Sequence, residues 1–247
     1  MITIKKKDEI NKLREGGKIL SLVLDDLQKM AKPGVNLLDL EKRAEKLIKA
    51  MGAEPSFKGY SGYPAILCTS VNEEVVHCAP KNRKLKEGDI ISIDCGVKYK
   101  NLFTDSARTV PVGKISEPAR KLMHVTATAL HIAMHQVREG NTVGDIGAAI
   151  ENYVSSHKLS VVRSLVGHGV GYKVHEDPKI PNYGKPKEGA ILRAGMVICI
   201  EPMVNIGGSE VVFEDDGWTV TTKDYSLSAH FEHTILVKEN GAEILTK

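Results

Sequence analysis

No window of the 247-residue sequence comes near the eighteen or so apolar residues of a membrane span. The start, Met1-Ile2-Thr3-Ile4-Lys5-Lys6-Lys7, also lacks the apolar stretch of a secretory signal. With neither, the chain is expected to stay in the cytoplasm and off the membrane. Cysteine is scarce: Cys68, Cys78, Cys95 and Cys199 make no Cys-x-x-Cys pair, and three of them sit in strand-like apolar runs. That excludes a disulfide framework and points to reduced, mostly buried thiols. An excess of one charge is missing as well. The 34 basic and 31 acidic residues leave a net +3, and the lysines near the start are too few for a nucleic-acid arm.

What is present is an ordinary globular composition, 42% hydrophobic and 26% charged, long enough for one large domain or two fused halves. Helical spacing runs through Ile10, Leu13, Leu20, Val23, Leu24 and Leu27, and returns at Leu37, Leu40, Ala44, Leu47 and Ile48. The second stretch recurs 106 residues later as Val143, Ile146, Ile150, Tyr153 and Val154, with Gly34 matching Gly140 and Asp39 matching Asp145. Asn36 and Thr142 each stand three residues before the matched acid, as capping residues do. After each helix comes a strand-like run, Asp89 to Asp94 and Met196 to Glu201, whose terminal acids are 107 apart. This predicts two similar αβ halves, about 1–112 and 113–247, packed as one domain without a Pro- or Ser-rich linker. An acid ending each central strand would then face its counterpart.

Asp94 and Asp105 flank Gly96 to Asn101, and a turn centred on Tyr99-Lys100 would set them directly across from one another on paired strands. Glu201 and Glu232 lie in two further runs that read as interior strand, Ile198 to Val204 and Phe231 to Val237. Buried carboxylates this close would take up protons unless a cation compensates them. His168, between Gly167 and Gly169, adds an imidazole where glycine lets the backbone come close. One imidazole and four carboxylates form an oxygen-rich set, suited to two divalent ions of manganese, iron or cobalt and able to accept zinc. Two such ions balance four carboxylates, and a bridging hydroxide would supply a nucleophile for peptide hydrolysis.

Six strings in this order make the pattern specific: Asp94 with Asp105, Gly167-His168-Gly169-Val170-Gly171, Val174-His175-Glu176-Asp177-Pro178, Ile200-Glu201-Pro202-Met203-Val204, Asp216-Gly217-Trp218-Thr219 and Phe231-Glu232-His233-Thr234. Together they closely resemble the type I methionine aminopeptidases in their short bacterial form, without a zinc-binding N-terminal extension. The resemblance implies the pita-bread fold, of α/β (α+β) class: two pseudo-symmetric αβ halves with antiparallel sheet around a dinuclear metal site. It implies removal of N-terminal methionine from nascent proteins when the second residue is small. Asp94 would then bind one metal, His168 and Glu201 the other, and Asp105 and Glu232 would bridge. Glu201 would also carry a proton from the nucleophile to the leaving amine. His175 would stabilise the tetrahedral intermediate and His77 would contact the substrate amide. Tyr60, Tyr63, Cys68 and Trp218 would form the methionine pocket with Phe57 at its rim, and Asn72 and Ser228 would lie near a monovalent cation. Expected partners are nascent N-termini, with the ribosome as a place of meeting, and the expected state is a monomer.

Three residues depart from that pattern: Cys78 stands where glycine is common, Val174 where an aromatic is frequent, and His230 where glutamine is usual. Alternation puts His230 on the face of Glu232. His131 and His135 are spaced to clasp zinc on a helix, but Ile132 replaces the glutamate that would follow the first, so they read as ordinary helix histidines. The competing readings are a proline-specific aminopeptidase of the same fold and a non-catalytic module. The first is expected to carry a further N-terminal domain, and the second need not keep five ligands.

Overall fold

The computed structural model describes residues 2–247. The first half contains α1 (Lys7–Met30), α2 (Leu37–Ala50), β1 (Glu54–Pro55), β2 (Leu67–Val71), β3 (Glu74–Val76), β4 (Ile90–Tyr99) and β5 (Leu102–Pro111). Then follow α3 (Glu117–Met134), α4 (Val143–Ser156), β6 (Ser160–Val161), β7 (Gly167–Gly169), β8 (Glu176–Ile180), β9 (Val197–Ile200) and β10 (Met203–Asn205). The chain ends with β11 (Val211–Phe213), β12 (Val220–Thr222), β13 (Ser228–His230), β14 (His233–Lys238) and β15 (Gly241–Ile244). Among the described residues every pair of neighbouring strands runs antiparallel.

The internal repeat is physical. Helices α2 and α4 are both 14 residues long and start 106 residues apart. Gly34 and Gly140 each precede one at a φ of 88°, a left-handed turn that glycine enters without Cβ strain. The caps differ in detail: Asn36 accepts from the Leu38 amide, whereas Thr142 and Asp145 form a reciprocal capping box. Each half has its own core. In the first, α1 and α2 cover the inner residues of β2, β4 and β5; in the second, α3 and α4 cover β9, β10 and β14.

Two expected details change. The β4–β5 turn is centred on Lys100-Asn101, with φ values of 48° and 66°, so Asp94 pairs with Ala107 and Asp105 with Gly96. A two-residue turn with both φ positive matches the right-handed strand twist. It leaves the two acids diagonal on one face, which spares them a direct like-charge pairing. Neither Glu201 nor Glu232 is inside a strand: Glu201 lies in the break between β9 and β10, and Glu232 occupies the break between β13 and β14.

That break is where the halves join. The amide of Glu232 donates to the Ala107 carbonyl at 2.9 Å, and Ser106 Oγ donates to the Glu232 carbonyl at 2.7 Å. Thr234 Oγ1 accepts from the Asp105 amide at 2.9 Å and donates to its carbonyl at 2.7 Å. Thr109 Oγ1 likewise bonds both the amide and the carbonyl of His230, each at 2.8 Å. Hydroxyls thus replace part of a backbone ladder, in one antiparallel register, and bring the Asp105 and Glu232 backbones together.

Candidate metal centre and substrate cavity

The polar floor of the site is built from both halves. Asp94 and Asp105 come from the β4–β5 hairpin, His168 from β7, Glu201 from the residue after β9, and Glu232 from the break before β14. Carboxylate oxygens of Asp94, Asp105 and Glu232 lie within 4.8 Å of one another. His168 Nε2 is 3.6 Å from Glu201 Oε1, and its Nδ1 is 2.8 Å from the Gly169 carbonyl. With Nδ1–H held by that carbonyl, the Nε2 lone pair faces the acids, which is the orientation a metal-binding histidine needs. All five predicted ligands therefore meet in one place.

The electrostatics call for a cation. Burial pushes the Asp94 carboxyl up to about 6. Asp105 is raised well above the carboxylate range by burial, then by the charges of Glu232, Asp94 and Glu201. Burial also raises Glu201 and Glu232, with the neighbouring carboxylates adding to it. Burial takes His168 down to about 3, so its imidazole is neutral and free to act as a ligand. Asp94 Oδ1, Asp105 Oδ1 and Glu232 Oε1 are buried without a hydrogen-bond partner. Acidic oxygens in that state are costly alone and suited to divalent ions.

Above the floor opens a cavity of about 880 Å³ lined by Phe57, Tyr60, Tyr63, Cys68, His77, His175 and Trp218 among others. Every pocket residue expected from the sequence is thus on its wall. Phe57, Tyr63, Cys68 and Val174 belong to one apolar cluster, against which Trp218 packs edge-on to Tyr63 at 5.3 Å. Gly96 makes room for this wall, because a Cβ there would sit 2.7 Å from the Phe57 ring. Burial keeps the Cys68 thiol protonated, leaving it an apolar contact.

Three histidines ring the polar end. The His168 and His175 rings are 4.3 Å apart and nearly perpendicular, and His175 Nδ1 lies 3.0 Å from Tyr60 Oη. His77 holds a left-handed φ of 61°, uncommon outside glycine and often found at functional sites. Burial, then the nearby His175 and His230, lower its pKa to about 4. The fourth imidazole, His230, is buried beside Glu201. Asn72 and Ser228 also meet, through a 2.8 Å bond from the Ser228 amide to the Asn72 carbonyl.

The sequence reading missed the supports. Thr234 straddles the Asp105 backbone, and its place two residues after Glu232 was a usable signal. Glu176 accepts from the Lys5 ammonium at 2.7 Å, from Thr3 Oγ1 at 2.6 Å, and from the amides of Tyr172 and Lys173. No local pattern pairs residues 171 apart. Cys199 was read only as a buried thiol; its sulfur lies within 4.8 Å of ligand atoms of His168 and Glu232, beside the Thr234 hydroxyl.

The model of metallopeptidase family M24 matches residues 11–239. The chain belongs to this family. It is similar to the methionine aminopeptidase of Clostridium perfringens, at 48% identity over 100% of this chain and 99% of that one. The methionine aminopeptidase structure from Thermotoga maritima superposes with a TM-score of 0.98 at 47% identity, covering 100% of both chains. The prolidase structure from Pyrococcus horikoshii, at 24% identity, gives a TM-score of 0.80 over 99% of this chain and 63% of that one, a likeness of fold. This M24 chain has the pita-bread fold, and its donor set fits the divalent metal binding of the family.

Proposed function

We propose that residues 1–247 work as one catalytic domain, a methionine aminopeptidase whose metal centre lies between the halves 1–112 and 113–247. The observation that carries this is the convergence of three buried carboxylates, the half-buried Glu201 and one imidazole, drawn from both halves, on the floor of an apolar cavity. Asp94 would hold one divalent ion, His168 and Glu201 the other, and Asp105 and Glu232 would be shared between them. Manganese, iron, cobalt and zinc all suit this set. When bound, such a pair activates water and polarises a peptide carbonyl.

The chain's own residues do the rest. The wall of Phe57, Tyr60, Tyr63, Cys68 and Trp218 takes the methionine side chain, an unbranched thioether that packs well against aromatic edges and sulfur. Glu201 receives a proton from the nucleophile and passes it to the leaving amine. His175, anchored by Tyr60, donates toward charge growing on the scissile carbonyl, and His77 holds the substrate amide. Asn72 and Ser228 would lie beside a monovalent cation, toward which the Asn72 carbonyl keeps a second lone pair. The substrates are nascent N-termini met at the ribosome, and the enzyme acts as a cytoplasmic monomer. Among the described residues no helix is long and apolar enough to cross a membrane.

Hydrolysis of Met-Gly-x, Leu-Gly-x and x-Pro peptides by manganese-loaded protein tests this. Met-Gly-x is expected to be preferred over an analogue one methylene different by roughly 10- to 200-fold. Equal turnover of Met and Leu peptides contradicts the pocket, and preference for x-Pro favours the proline-specific reading.

A further inference from the structure

His230 is 1% exposed, at the end of β13, with its backbone fixed by Thr109 on one side and paired with Met203 on the other. Its ring therefore has a set place. Neither ring nitrogen has a hydrogen-bond partner, an unusual state for a buried imidazole, which in its neutral form carries one donor and one acceptor. The charged and titratable groups that face it are Glu201, Asp94 and His77. Glu201 is the nearest: its Oε2 is 3.5 Å from His230 Nε2, while its Oε1 is 3.6 Å from His168 Nε2. The Glu201 carboxylate thus lies between two imidazoles, one on each oxygen. His168 has Nδ1 tied to a carbonyl and presents a lone pair; His230 has no such tie and is free to present a proton.

We propose that His230 is a positioning residue for Glu201. Its Nε2–H holds the outer oxygen Oε2 through a small carboxylate rotation, leaving the inner oxygen Oε1 turned toward His168 and the metal. This rests on the reading of Glu201 as a metal ligand. The interaction satisfies the donor of a ring that is otherwise unpaired and fixes the orientation of the Glu201 carboxylate. Partners of this kind, which orient a ligand from outside, typically change metal affinity or activity by about 10- to 100-fold when lost.

The test is metal affinity, measured by chelator competition with manganese and zinc on the whole protein, for wild type, His230→Leu and His230→Gln. Leucine removes the donor and fills similar space; glutamine restores an N–H donor. The expected result is a roughly 10- to 100-fold loss for His230→Leu, and His230→Gln within about threefold of wild type. Wild-type affinity in His230→Leu, or an equal loss in both variants, overturns the proposal. If His230→Leu does not fold, imidazole ¹⁵N spectra of zinc-loaded wild type decide: a proton on His230 Nε2 supports it, and an unprotonated Nε2 overturns it. Glu201→Gln separates this from the reading beneath it, since that variant weakens metal binding only if Glu201 is a ligand.

Discussion

His168 and His175 are seven residues apart and their rings touch, yet only His168 points its lone pair at the carboxylates. The two should therefore fail in different ways. His175→Ala is expected to lower kcat by roughly 10²- to 10³-fold, as for loss of an oxyanion donor, with metal affinity unchanged. His168→Ala should lose metal affinity and rate together. Measured per folded, metal-loaded molecule, an unchanged kcat in His175→Ala removes that residue from the mechanism. Protonation gives a second residue-scale prediction. Burial and neighbouring carboxylates raise Glu232 above its unfolded value of about 4.3. A raised carboxyl contributes stability that is present below about pH 4 and lost as pH climbs through the raised folded value. Glu232→Gln stays neutral throughout, so in chelator its Tm advantage over wild type should grow from pH 5 to pH 8. Saturating manganese should reverse the order. Calorimetry across that range checks both, and a constant difference in chelator would contradict the electrostatic account.

At the scale of elements, the loop that carries His175 is held from far away. Lys5 and Glu176 form an ion pair whose side chains are 1% and 5% exposed, and the Lys5 ammonium also stands 4.5 Å from the centre of the Tyr172 ring. Gly171, at a φ of 139°, is what lets the Lys5 stem in, since a Cβ there would lie 2.3 Å from Lys5 Cε. Lys5→Met should strand the Glu176 carboxylate, lower Tm, and cost about tenfold in kcat, equivalent to roughly 1.4 kcal/mol of misplacement. Metal affinity should be retained. Equal kcat per folded molecule would mean that the clamp serves stability alone. The helices were legible because their signals are local: one apolar period, a cap and a glycine, repeated at 106 residues. The hairpin register was not, because Tyr99-Lys100 and Lys100-Asn101 are both plausible turns by composition. Only the backbone shows positive φ at the second pair. The break at Glu232 was hidden for a similar reason, since its bonds run to Ser106 and Ala107 in the other half.

For the whole molecule, the repeat explains why the site is where it is. Two αβ halves, each with a main core of its own, meet along a seam where smaller apolar clusters are shared, and the acids of both halves lie on that seam. The meeting of these five side chains was legible in the sequence because ionisable residues inside apolar runs are costly, and five of them need a common reason. The cavity wall was legible only through resemblance, because Tyr60, Tyr63 and Trp218 are ordinary turn and surface residues until the fold brings them together. Bridging by Asp105 and Glu232 is the claim on which the rest depends. The direct test is to strip the protein with chelator, titrate manganese back by calorimetry with elemental analysis, and follow cleavage of Met-Gly-x on the same samples. The account predicts a plateau approaching two ions per chain that restores cleavage, and loss of both ions together in Asp105→Asn. A site that stays empty at millimolar manganese, or an Asp105→Asn protein that loses one ion and keeps the other at full affinity, would contradict it.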